Sequence, residues 1–125
     1  MKKNEAKIEN KDDLAIITIK GKFGEPRPDR FLVAEFDALT EGYAQECEKK
    51  GVIPKIIVDL KKVTFVSSIG LAALLKAVRR VGHLQGDLIL VNIDCVGNGR
   101  FHDLLRVCRL ERVFTITSMR KALKK

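Results

Sequence analysis

Two adjacent hydroxyls, Ser67 and Ser68, stand where an apolar stretch, Val63-Thr64-Phe65-Val66, gives way to a helical period beginning Ile69-Gly70-Leu71. Serine at such a junction does one of two things. It caps the helix, its side-chain oxygen accepting from a backbone N–H of the first turn, while Gly70 permits close packing. Or it stands exposed at the helix N-terminus, where a phosphate meets unsatisfied N–H donors and the positive end of the helix dipole. Phosphorylation there adds nearly two negative charges to a surface that a partner can read, without unfolding the element. Residue types leave both readings open, and leave open whether Ser67 or Ser68 is the cap.

Other candidate residues point to structure rather than catalysis. His83 falls at a helix end and His102 inside a helix, neither beside an acid–nucleophile arrangement that would make it a general base. Gly97-Asn98-Gly99 before a helix is similar to a phosphate cradle, but it lacks the third glycine of G-x-G-x-x-G and the Gly-Lys-Ser/Thr ending of a P-loop, so it reads as a turn. Asp59, at a strand, has no second carboxylate nearby in sequence to share a cation. Cys47, Cys95 and Cys108 are odd in number, with no C-x-x-C and no histidine in ligand register; they are expected to be reduced, packed thiols. No catalytic residue, metal or cofactor is expected.

The elements that would position the serines follow from periodicity. Leu14-Ala15-Ile16-Ile17-Thr18-Ile19 reads as a strand stopping at Gly21, preceded by a weaker strand around Ala6–Glu9 and a turn at Asn10–Asp13. Gly24-Glu25-Pro26-Arg27-Pro28-Asp29 breaks the pattern, and Asp29 is placed to cap a helix carrying Leu32, Phe36, Leu39 and Tyr43, closed by Gly51, with an acidic opposite face. Ile56-Ile57-Val58-Asp59-Leu60 has the compact apolar centre of a strand covered on both sides. A polar bridge, Lys61-Lys62, then leads to the serines. The following helix buries Leu71, Leu74, Leu75, Val78 and Val81, exposes Lys76, Arg79 and Arg80, and ends at Gly82. Next come a strand over residues 88–93, a helix carrying Phe101, Leu104, Leu105 and Cys108, a short strand over 113–116, and a basic helix capped by Ser118. The order β-β-α-β-α-β-α-β-α predicts a layered α/β domain, a mostly parallel mixed sheet covered by helices.

Composition bounds the rest. A chain of 125 residues, 46% apolar, is expected to form one domain spanning residues 1–125 with a real core. No apolar stretch approaches the ~18–20 residues of a membrane span. Asn4, Glu5 and Lys7 follow Met1-Lys2-Lys3 where a signal peptide would turn apolar, so a cytoplasmic location is expected. The net charge of +8 is unevenly placed: residues 1–60 hold 11 basic and 12 acidic side chains, residues 61–125 hold 13 and 4. Those cations recur at helical spacing, as on a solvated helix face. No tryptophan and a single tyrosine leave no stacking platform for nucleic acid. The basic end, Arg120 to Lys125, lacks the aromatic anchor of a membrane-surface helix.

At the serine junction the chain resembles the STAS domain family, and within it the bacterial anti-sigma factor antagonists. Ile56-Ile57-Val58-Asp59-Leu60 is similar to the family strand V-V-L-D-L, and Phe65-Val66-Ser67-Ser68-Ile69-Gly70-Leu71-Ala72 to the signature F-[IM]-D-S-[ST]-G-L-G in register. Gly86-Asp87-Leu88-Ile89-Leu90-Val91-Asn92 resembles G-G-x-L-x-L-x-N, and Leu104 to Phe114 resembles L-x-L-T-G-L-x-x-[VI]-F, so the likeness covers about residues 14–123. It implies a non-enzymatic switch: an anti-sigma factor that is also a GHKL-type serine kinase phosphorylates the serine at position 68, and a serine phosphatase reverses this. It also implies a partner surface of Gly24, Asp29, Ser67, Ile69, Gly70 and Leu71. The alternative is a non-switching STAS scaffold of a stressosome-like or lipid-transport assembly. Ser67 stands where the signature has Asp, Ile69 replaces a small hydroxyl residue, and Arg109 stands where a helix-ending glycine is common.

Overall fold

Alternating apolar residues along Leu14–Phe23 put Ile17, Ile19 and Phe23 on one face of a strand, and this strand organises a five-stranded sheet. The computed structural model describes residues 5–11, 14–24 and 31–123. Strand β1 (Glu5–Lys11) pairs antiparallel with β2 (Leu14–Phe23), forming the expected hairpin. Helix α1 (Phe31–Lys50), β3 (Lys55–Val66), α2 (Ser68–His83) and β4 (Asp87–Val91) follow. A 3-10 segment (Ile93–Gly99), α3 (Arg100–Val107), a second 3-10 turn (Leu110–Arg112), β5 (Thr115–Ile116) and α4 (Met119–Leu123) complete the chain. The sheet order is β1-β2-β3-β4-β5, with β2 to β5 parallel. This is the mixed α/β architecture that the alternation of elements implies.

One sheet face carries the main core, in which Ile17, Ile56, Val58, Leu60 and Leu90 meet Phe36 of α1, Leu74 of α2 and Leu105 of α3. Phe23 and Phe36 meet edge to face at 5.3 Å. The opposite face buries Leu14, Ile57, Ile89 and Val91 with Ala122 of α4, and the Lys55 ammonium donates to the Ala122 carbonyl at 2.8 Å. Among the described residues no helix is long and apolar enough to cross a membrane.

Several boundaries differ from those periodicity suggests. Lys61-Lys62 is no bridge: β3 runs through it, because Lys62 pairs with Lys20 of β2 and the ladder continues to Phe23 and Val66. Two register shifts, between Thr18 and Lys20 and between Gly21 and Lys22, let β3 carry extra residues, and such bulges twist a strand and re-aim its side chains. Gly21 likewise does not stop β2. Strand β4 ends at Val91 because Asn92 takes φ 59° and starts the 3-10 segment. Gly51 does close α1, with the Val52 N–H on the Cys47 carbonyl and the Gly51 N–H on that of Glu48. In α2 the corresponding left-handed residue is Gln85, not Gly82.

The acidic face of α1, though partly in solvent, is bridged to α2. Arg80 of α2 donates to Glu41 at 2.8 and 3.0 Å and to Glu48 at 3.2 Å, and Lys76 lies 4.0 Å from Asp37. Arg80 holds the Glu41 carboxyl below its ordinary range, whereas partial burial pushes Asp37 up against the pull of Lys76.

Candidate phosphoacceptor and partner surface

The structure separates the two hydroxyls. Ser67 has extended backbone angles, φ −85° and ψ 176°, and caps α2: its oxygen accepts from the Gly70 N–H at 3.2 Å. The same hydroxyl donates to the Gly24 carbonyl at 2.8 Å, and the Ser67 N–H donates to the Phe23 carbonyl at 3.0 Å. The end of β2 and the start of α2 are thereby stapled together. Ser68 is the first residue of α2; it is exposed, and its hydroxyl has no hydrogen-bond partner among the described residues.

Two glycines make this junction possible. Gly24 has φ 99°, and a Cβ there would run into the Ser67 oxygen and the Gly70 nitrogen. A Cβ on Gly70 would strike the Phe23 carbonyl oxygen and approach its ring at 2.8 Å. The strand end thus lies directly on the first turn of the helix. That turn carries no acidic side chain of its own to offset the positive pole of α2.

The residues flanking Ser68 in the chain leave apolar side chains in solvent, and β3 leading up to it carries exposed lysines. Ile69 is 51% exposed and Phe65 49%, Leu71 is half-buried, and Lys61, Lys62 and Thr64 are exposed. Strand alternation from Ile56, Val58 and Leu60 already puts Phe65 away from the main core and Val66 into it, because the two bulges each add one residue to β3 and leave that parity unchanged. Of the expected partner surface, Gly24, Ser67, Ile69, Gly70 and Leu71 converge on this junction. Asp29 lies outside the described residues.

The remaining candidates take structural places. The Asp59 carboxylate accepts from Asn92 at 2.7 Å and from the Lys61 N–H at 3.0 Å, tying the end of β4 to β3. His102 lies between two carboxylates, Nδ1 at 2.8 Å from Asp94 and Nε2 at 3.2 Å from Glu111, while His83 is exposed at the end of α2. Gly97, Asn98 and Gly99 form a left-handed turn before α3. The expectation of packed thiols holds only for Cys47: Cys95 and Cys108 are free and exposed, one in the 3-10 segment and one at the outer end of α3. A groove of about 970 Å³ bordered by Ile8, Leu39, Tyr43, Cys47 and Ile53 lies at the other end of the sheet from Ser68.

Comparison with known proteins agrees with this architecture. The STAS domain model matches residues 6–122. No curated protein matches the chain. Among solved structures, a putative anti-sigma factor antagonist from Thermotoga maritima superposes with TM-score 0.72 at 16% identity, covering 95% of this chain and 92% of its own. An anti-sigma factor antagonist from Mycobacterium paratuberculosis gives 0.67 at 15% identity, covering 96% and 91%. The Bacillus cell fate determinant SpoIIAA in its phosphorylated form gives 0.67 at 17% identity, covering 94% and 96%. At these identities the likeness is one of fold.

Proposed function

The chain belongs to the STAS domain family, and from that premise we propose that it is an anti-sigma factor antagonist acting in the cytoplasm as a phosphorylation-controlled partner switch. Its partner in this reading is an anti-sigma factor that is also a GHKL-type serine kinase, Ser68 is the acceptor, and a serine phosphatase resets it. One observation carries the reading. Of two neighbouring hydroxyls, that of Ser67 is engaged on both sides, while that of Ser68 is exposed and unbonded at the helix N-terminus. SpoIIAA, which shares the fold, supports it as a protein with a phosphorylated form.

The physical sequence is short. The Ser68 oxygen attacks the γ-phosphorus of ATP held by the kinase, the bond to the β-phosphate breaks, ADP leaves, and the hydroxyl proton passes to a base on the kinase. Before transfer the face offers Phe65, Ile69 and neutral hydroxyls, which a partner buries without enclosing an acidic charge. Afterwards it carries close to two negative charges, and burying them unpaired costs several kcal/mol. The helix itself tolerates the anion, because the dipole and the free N–H groups of the first turn stabilise it. Ser67, in place of an acid, keeps the site neutral beforehand, so the whole charge change comes from the phosphate.

Incubation with a GHKL-type anti-sigma kinase from the same organism and ATP should label Ser68, located by mass spectrometry. Ser68→Ala should abolish the label and keep binding, and Ser68→Asp should weaken binding at least tenfold. Label on Ser67, no label, or undiminished binding by Ser68→Asp would sink the switch; the last would favour a permanent scaffold.

A further inference from the structure

Helix α3 carries apolar side chains in two directions. Phe101 and Leu105 enter the core, whereas Leu104 is 44% exposed and Val107 81%, three residues apart and so on one helix face. Val113, closing the 3-10 turn that follows, is 45% exposed, and Cys108 between them is exposed as well. Single exposed aliphatics are ordinary, but Leu104 and Val107 share one face of α3, and Val113 adds a third within the next turn of chain.

The charges beside them differ in how they are engaged. The local carboxylates are exposed but each has a neighbour: Asp94 and Glu111 contact His102, and Asp103 and Glu111 lie 3.1 and 3.7 Å from Arg106. Arg100, Arg109 and Arg112 make no ion pair or side-chain hydrogen bond among the described residues. Arg109 is moreover held at φ 58°, a conformation that glycine adopts freely and a side chain opposes. A cation is kept on this surface at the expense of backbone strain.

We propose that α3 and the following turn form a second docking surface, separate from the Ser68 face, for an acidic amphipathic helix of a protein partner. An apolar centre with an arginine border is the make-up of protein interfaces. A lipid surface would call for aromatic anchors, and the aromatic residue of α3, Phe101, is buried. Nucleic acid would bring phosphates onto Leu104 and Val107 with no exposed ring in α3 to stack on. In a second copy the carboxylates of α1 are already engaged, Asp37, Glu41 and Glu48 with α2 and Glu46 with Lys50.

The test uses the whole protein and a synthetic helical peptide of about 20 residues with leucines at i, i+3 and i+7 spacing and glutamates elsewhere. Its scrambled isomer, phosphatidylglycerol vesicles and duplex DNA serve as rival probes. The patterned peptide should bind about tenfold more tightly than the scrambled one, and Val107→Glu and Arg109→Glu should each weaken it about tenfold. Val107→Ser, a milder change at an exposed position, should weaken it in the same direction. Ile69→Glu should leave it unchanged, which keeps this surface distinct from the Ser68 reading. The proposal is overturned by no binding, equal binding of the scrambled peptide, sensitivity to Ile69→Glu, preferential capture of vesicles or DNA through Val107, or self-association that Val107→Glu abolishes.

Discussion

Helices α2 and α3 both belong to the basic half of the chain, yet their cations meet different fates. In α2, Lys76 and Arg80 face the carboxylates of α1. Around α3, Arg100, Arg109 and Arg112 pair with nothing among the described residues. Part of the excess charge thus fastens α2 to α1, while Arg100 at the start of α3 and Arg109 and Arg112 after its end stay open. Net charge counts side chains; packing decides which of them a partner can reach. The two helices also start differently. The first turn of α2 is pressed onto β2 through Gly70, whereas a Cβ on Gly99, ahead of α3, would meet nothing within 4 Å.

The largest expected effect separates those two starts. Gly70→Val should destabilise by roughly 3 kcal/mol, since its side chain must displace the Phe23 backbone. Gly99→Ala should cost about 1 kcal/mol, from left-handed strain at φ 88° alone. Equal losses in urea denaturation would erase the contrast. Next, Ser67→Ala removes the cap of α2 and the donor to Gly24, and should cost about 1–2 kcal/mol by the same measurement. In the opposite direction, Arg109→Gly should stabilise by about 1 kcal/mol, because the strain disappears while no ion pair is lost. The smallest effect concerns the α1–α2 fastener. Glu41 has its folded pKa lowered by Arg80, so the pair's contribution is present above the ordinary carboxylate range and fades as pH falls through the folded value. The Tm difference between wild type and Arg80→Ala should therefore narrow on acidification and in high salt.

Local pattern made most of the architecture legible. The β-branched runs became strands, the three- and four-residue spacings became helices, and the serine pair sat at the predicted junction. What escaped depends on partners distant in sequence. The passage of β3 through Lys61-Lys62 needs β2 as a template, and the inward turn of Val63 needs the bulges that pairing creates. That Ser67 rather than Ser68 is the cap follows from where Phe23 and Gly24 arrive, 43 residues earlier along the chain in the Ser67–Gly24 bond. The exposure of Cys95 and Cys108 follows from short 3-10 and helical pieces whose outward sides have no apolar period to announce them. The open arginines were visible as residues, but not as unpaired ones.

The underside of the sheet has its own consequence. There Ile57, Ile89 and Val91 lie beneath a five-residue helix, with a lysine from β3 gripping its last turn. So brief a roof rests on few atoms, and prising it off bares a greasy floor. Among the described residues, opening of a helix a single turn and a half long is thus enough to bring that apolar floor to water.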